Sequence, residues 1–124
     1  MDKIDFNFDK KTAVITGGAQ GFGLDIAKRF LKSGAKVIIW DIDPKMIEKS
    51  VKDLNNSNLS SNIVDVSNYN QVEKCVTEIT KDSNIDILIN NAGITGPTST
   101  LWEYDVEMWK KIVDINLMGT FNCC

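Results

Sequence analysis

Short apolar runs alternate with helical stretches along this chain at nearly even intervals. The runs TAVIT (12–16), KVIIW (36–40), NIVDV (62–66) and IDILIN (85–90) are rich in Val and Ile. Three of the four are apolar throughout their middle, the pattern of strands buried on both faces of a parallel sheet. Between them lie stretches with the period of amphipathic helices. Phe22, Ile26 and Phe30 recur four residues apart with Ala27 and Leu31 beside them, and Ser33-Gly34 offers a glycine just past the helix end. Asp43-Pro44 predicts the start of a second helix, an acidic N-cap followed by proline at the first helical position. Met46, Ile47, Val51 and Leu54 supply its apolar face, and Val72, Val76 and Ile79 do the same for a third helix. A fourth is predicted from near Asp105, with Trp109, Ile112, Val113 and Leu117 on one side, running toward Cys124. The polar stretch NNSNLSSN (55–62) reads as a loop into the third strand. The order βαβαβαβα predicts a doubly wound α/β sheet with right-handed crossovers.

Composition narrows the picture. At 124 residues the chain amounts to at most one domain, and its 43% apolar content suffices for a core. Fourteen basic residues against 17 acidic give a net charge of −3, with no histidine, so neither a nucleic-acid-binding stripe nor a polybasic membrane patch is expected. The first residues, MDKIDFNFDKK, lack the apolar core of a signal peptide, and no stretch approaches a membrane span. Cys75, Cys123 and Cys124 are odd in number and form no C-x-x-C, which disfavours a disulfide framework or a zinc site. The cytoplasm is the expected compartment.

The stretch TGGAQGFG (16–23) stands between the first strand and the first helix. A helix N-terminus holds phosphate well, because unpaired N–H groups and the helix dipole point at it. Glycine permits the tight turn and lets backbone approach a pyrophosphate closely. Asp41, twenty positions beyond Gly21, closes the second strand, where a dinucleotide fold places a carboxylate to accept the ribose 2′-OH. A 2′-phosphate there would meet like charge, and the neighbouring Gln20 is neutral. NAD is therefore expected over NADP. For Asp43, helix capping suffices. No Walker G-K-[ST] is present, and the glycine spacing is G-x-x-x-G-x-G rather than G-x-G-x-x-G.

That spacing, T-G-x-x-x-G-x-G, resembles the short-chain dehydrogenase/reductase family. Asn90-Asn91-Ala92-Gly93 looks like the family's N-N-A-G, Asp65-Val66 like its D-V pair at the adenine, and Asn116 in DINLMGTF like the asparagine of its catalytic tetrad. The resemblance runs from about Lys11 to the last residue. From Asn91 onward it is most similar to the branch with 3-oxoacyl-carrier-protein reductases and sugar or polyol dehydrogenases. It implies a Rossmann-type NAD(P)-binding domain over 1–124, with 1–10 as an N-terminal extension. It also implies that Gly17, Gly21 and Gly23, with the backbone at Gln20 and Phe22, hold the pyrophosphate side. Asp41 and the Ile42 backbone would hold the adenosine ribose, Asp65 and Val66 the adenine, and Asn90, Ala92 and Gly93 the cleft at the strand end. Other readings stand beside these. Asn90 and Asn91 would equally stitch strands together, Gly93 would equally be a turn, and Asp65 or Ser67 would equally cap the third helix. Asn116 shares the helical spacing of Trp109, Ile112 and Val113, so it is expected on the buried face, where its amide needs backbone, water or substrate as partner. In the family such an asparagine holds a water in a proton relay.

The family's chemistry also uses a tyrosine and lysine as Y-x-x-x-K, with an upstream serine. Here Tyr69 is followed four residues on by Glu73 and Tyr104 by Met108, and both precede Asn116. The expectation is the N-terminal half of an NAD-dependent dehydrogenase that interconverts a carbonyl and a secondary alcohol, homo-oligomeric when full length. The sheet would be truncated after its fourth strand and into the fourth helix, leaving a bare edge, an uncovered apolar helix face and no turnover by these residues alone. Another class remains open: a non-catalytic nucleotide-binding module, or a fragment co-assembling with a full-length homologue. A methyltransferase on a similar sheet would leave the N-N-A-G and Asn116 contexts unexplained.

Overall fold

A computed structural model describes residues 6–124. Four strands alternate with helices: β1 (Thr12–Thr16), α1 (Gly21–Lys32), β2 (Lys36–Asp41), α2 (Pro44–Leu54), β3 (Leu59–Ile63), α3 (Tyr69–Thr80) and β4 (Ile87–Ile89). A 3₁₀ turn at Leu101–Glu103 leads to α4 (Val106–Val113), a wide π turn at Asp114–Met118 and a last short helix, α5 (Gly119–Cys123). The strands form one sheet in the order β3-β2-β1-β4, all parallel. Val14 lies opposite Ile38 and Leu88, and Ile15 opposite Ile39 and Ile89. The chain is a parallel α/β sheet of the Rossmann type.

The two-residue period of the strands sorts the core into two layers. On one face Ile15, Val37 and Ile39 pack with Ala27 of α1 and Ile47 of α2. On the other, Val14, Ile38 and Trp40 pack with Val64 and Val72, and Cys75 and Cys123 join from α3 and α5. Residues just before β1 also belong to the fold. Phe8 packs against Phe30 with ring centroids 5.0 Å apart in a tilted arrangement, and its N–H donates to the Ser33 carbonyl.

Helix boundaries follow local chemistry. Gly34 takes φ of +88° after α1, and a Cβ there would collide with the Asp9 carboxylate. Asp43 caps α2, its Oδ1 accepting from Lys45 N at 2.9 Å and Met46 N at 3.2 Å, with Pro44 in the first turn. Asn68, rather than Asp65 or Ser67, caps α3, accepting from Gln71 N at 3.2 Å.

Four expectations need correction. The third strand is Leu59–Ile63, not 62–66, so half of the polar stretch expected to be a loop is ladder. Pairing is set by the backbone of β2, and an edge strand tolerates Ser60, Ser61 and Asn62. The apolar run beyond it is buried without strand pairing, Val64 at 2% exposure and Val66 at 7%. The fourth strand is only Ile87–Ile89, because Asp86 and Asn91 turn their side chains to the neighbouring chain ends. Phe22 is not on the core face of α1 but 85% exposed. The fourth helix is not one amphipathic cylinder. It widens at 114–118, Trp109 and Leu117 stand in solvent, and Asn116 is exposed rather than buried.

Candidate functional site

The sheet order reverses between β1 and β4: the chain leaves β1 toward β2 and β3, then crosses back to β4. In open α/β sheets the crevice at the strand carboxyl ends opens at such a switch point. Here it is a cleft of about 350 Å³ walled by five segments. Gly17, Gln20 and Phe22 come from the turn after β1, Asp41 and Ile42 from the end of β2. Val64, Asp65 and Val66 follow β3, while Asn91, Ala92, Gly93 and Ile94 follow β4, with Ile115 across from them.

The glycines of the turn serve different needs. Gly17 has φ of +60°, and a Cβ there would lie 3.0 Å from Asn91 Nδ2 and 3.1 Å from the Ala92 Cα. Gly23 is needed for space: a Cβ would fall on the Gly17 carbonyl and 2.6 Å from Asn91 Nδ2. Gly21, at φ of +55°, faces open space. Gln20 is the N-cap of α1 and sends no side-chain bond to the first turn, so the N–H groups there stay open to a ligand.

The end of β4 is sewn to the end of β1. Thr16 Oγ1 accepts from Asn91 N at 3.1 Å and Ala92 N at 2.9 Å. Asn91 Nδ2 donates back to Thr16 O at 3.0 Å and Gly17 O at 3.1 Å. Asn91 thus both stitches strands and lines the cleft. Asn90, the neighbour singled out for the site, points away and meets Cys124 Sγ at 3.5 Å. Successive residues at a strand end face opposite ways, and the letters N-N do not say which one faces in.

Two carboxylates line the cleft. Asp41 is 7% exposed; its Oδ2 accepts from Ala19 N and its Oδ1 from Asp43 N, both at 3.2 Å. Asp65 Oδ1 accepts from Ser67 N at 2.9 Å and Ser67 Oγ at 2.6 Å. Ile94, Ile115 and exposed Phe22 add an apolar part to the wall. Asn116 stands behind this wall. Its Oδ1 accepts from Ile94 N at 2.8 Å and its Nδ2 donates to Ile94 O at 2.9 Å. Backbone is therefore the partner of its amide. Among the described residues no group of His, Cys, Asp and Glu is placed to hold a metal ion, and no helix is long and apolar enough to cross a membrane.

A glycine turn at a helix N-terminus, a carboxylate closing β2 and a cleft at the switch point define a dinucleotide-type site. The chain belongs to the short-chain dehydrogenase family, NAD(P)-binding oxidoreductases whose family model matches residues 11–124. It is 34% identical over 118 residues to the 2-dehydro-3-deoxy-L-rhamnonate dehydrogenase (NAD(+)) of Sphingomonas sp. (strain SKA58), covering 91% of this chain and 45% of that protein. Identity is 37% to the 3-oxoacyl-[acyl-carrier-protein] reductase of Chlamydia muridarum, over 92% of this chain and 47% of the relative. The structure of a 3-ketoacyl-(acyl-carrier-protein) reductase from Brucella melitensis, complexed with NADH, superposes with a TM-score of 0.88 at 33% identity, over 94% of this chain and 48% of that one. The chain thus spans about half the length of the relatives it matches.

Proposed function

We propose that this chain is the cofactor-binding part of an NAD-dependent dehydrogenase acting on a carbonyl or secondary alcohol, of the 3-oxoacyl or sugar and polyol kind. The observation that carries the cofactor preference is Asp41. Its carboxylate sits at the cleft wall facing the glycine turn, and among the described residues no lysine or arginine lines the cleft. Two ribose hydroxyls suit such a carboxylate and a 2′-phosphate does not. The residues fit the cofactor elsewhere too. Backbone N–H groups from Gln20 to Gly23 would hold the pyrophosphate, with Gly17 and Gly23 letting it approach. Ile42 and the Asp65-Val66 pair would hold the adenosine end, and Ala92 and Gly93 the strand-end wall. When bound, the nicotinamide supplies the hydride acceptor or donor. Ile94, Ile115 and Phe22 would shield that end from water, and Asn116 holds the wall in place through Ile94.

These 124 residues contain no Y-x-x-x-K, so nothing here moves the hydroxyl proton of a substrate. The proposal is NAD binding without turnover by this chain alone. Three free thiols suit a reducing compartment, and we place the protein in the cytoplasm. The other reading, a binding module that assembles with a second chain, draws support from the exposed apolar stripe of Val106, Trp109, Leu117 and Phe121. Titration of the chain with NAD and NADP, followed by tryptophan fluorescence, tests the proposal. NAD is expected to bind at least about tenfold more tightly, the discrimination a single unpaired buried charge can impose. Equal affinities, or no binding of either, would overturn it.

A further inference from the structure

The geometry points to Asp41 as a positioning residue: its carboxylate is the strut that holds the glycine turn in its phosphate-binding shape, in addition to any contact with a ribose. This rests on the proposed cofactor reading for its purpose, but the strut itself is visible without a ligand. The turn leaves β1, crosses the end of β2 and enters α1. Two bonds tie it to β2. Gly18 N donates to Trp40 O at 3.1 Å, and Ala19 N donates to Asp41 Oδ2 at 3.2 Å. Ala19 is 1% exposed, so water has no access to its N–H, and the Asp41 carboxylate is its acceptor. The second oxygen, Oδ1, accepts from Asp43 N at 3.2 Å, at the N-cap of α2, and fixes the plane of the carboxylate. Each carboxylate oxygen has a further lone pair, so the group can brace the turn and still accept hydroxyls from the cleft.

Cofactor selectivity and phosphate binding then share one side chain. Deleting the carboxylate strands a buried N–H beside Gln20 and Gly21, and the turn must shift to find water. Pure electrostatics predicts the reverse outcome for an anion: taking a negative charge away from the cleft should tighten its binding. The two accounts differ in sign.

The probe is inorganic pyrophosphate, which is too short to span from the turn to a ribose-binding position, together with amide hydrogen exchange followed by NMR. In Asp41→Ala, the Ala19 amide is expected to exchange at least about tenfold faster while Val14 and Ile38 keep their protection. Pyrophosphate is expected to bind at least about threefold more weakly, against the electrostatic direction. Asp41→Asn keeps an oxygen for Ala19 N–H and is expected to hold the Ala19 exchange rate within about twofold of the unsubstituted chain, while pyrophosphate, meeting a braced turn without the negative charge, binds no more weakly than before. Unchanged exchange at Ala19, or tighter pyrophosphate binding, in Asp41→Ala overturns the strut. If Asp41→Ala does not fold, the unsubstituted chain decides: an Ala19 amide exchanging as fast as that of exposed Asn7 overturns the bond. A chain that binds no NAD yet shows a protected Ala19 amide, lost in Asp41→Ala, sinks the cofactor reading and leaves the strut standing.

Discussion

At the scale of single residues, the glycine turn separates space from conformation. Gly23→Ala puts a methyl on the Gly17 carbonyl and against Asn91, atoms that are themselves tied between β1 and β4. Gly21→Ala meets no neighbour and bears only the left-handed backbone, about 1–2 kcal/mol. Thermal unfolding is expected to fall further in Gly23→Ala, with NAD affinity reduced at least about tenfold, while Gly21→Ala keeps measurable binding. The thiols offer a second check. Burial, reinforced by the neighbouring Cys124, pushes the Cys123 thiol up to about 11. At pH 8 Cys123 therefore stays protonated, and iodoacetamide followed by mass spectrometry is expected to label exposed Cys124 first. That the glycine turn and Asp41 come together at one cleft was legible from the spacing, because a glycine-rich turn after β1 and a residue closing β2 meet at the carboxyl ends of neighbouring strands. The inward asparagine was not. Asn90 and Asn91 are chemically identical, and only the bonds to Thr16 show that Asn91 is the one turned to the cleft.

At the scale of elements, the sequence placed four strands and the first three helices near their observed positions, but it misplaced edges and read the stretch from α4 to α5 as a single helix. Apolar runs mark burial, and burial and strand pairing coincide in the centre of the sheet, at β1 and β2. At the edge they part: β3 pairs through a polar segment while Val64 and Val66 are buried beyond it. The break in the last helix was equally silent, since Asn116 spends its amide on Ile94 rather than on packing. The start of β4 shows how side chains finish what the ladder begins. Asp86 N donates to Thr12 O at 3.0 Å, and its Oδ2 accepts from Thr12 N at 2.9 Å, with Lys11 at 3.2 Å. The Thr12 N–H, then the Lys11 ammonium, hold this carboxyl below its ordinary value of 3.8. A depressed carboxylate stabilises the fold above its unfolded pKa and ceases to as pH falls through its folded one. The melting temperature of Asp86→Asn is therefore expected to lie below that of the unsubstituted chain at pH 7, and the gap to close as pH drops below the ordinary carboxylate range. A gap that widens in acid would refute the assignment.

At the scale of the whole molecule, α4 and α5 present an exposed apolar stripe. Val106, Trp109, Leu117 and Phe121 are each at least half exposed, and Leu101 and Trp102 lie nearby in sequence, also exposed. Patches of this kind mark contact surfaces or drive association. The isolated chain is expected to self-associate at micromolar concentration in sedimentation experiments, and Leu117→Lys with Phe121→Lys to shift it toward monomer without loss of helical signal. A monomer in both would show that the stripe does not drive association.

The crossover from β3 to β4 has a kinetic consequence. Val14 pairs with Leu88, 74 positions further along (88 − 14), whereas Val14 and Ile38 are separated by 24 (38 − 14). Closing the longer loop costs more chain entropy before any contact repays it, so β1 and β2 can zip early while β4 arrives late. The glycine turn and Asp41 belong to the early half, and Asn91 to Ile94 to the late one. Until β4 docks, the glycine turn and Asp41 form an unwalled surface, and they border a cleft only once Asn91 to Ile94 are in place. A molecule bridging both walls would act as a clamp on that final step, slowing its reversal. The lifetime of a chain so clamped is expected to follow the supply of whatever ligand clamps it.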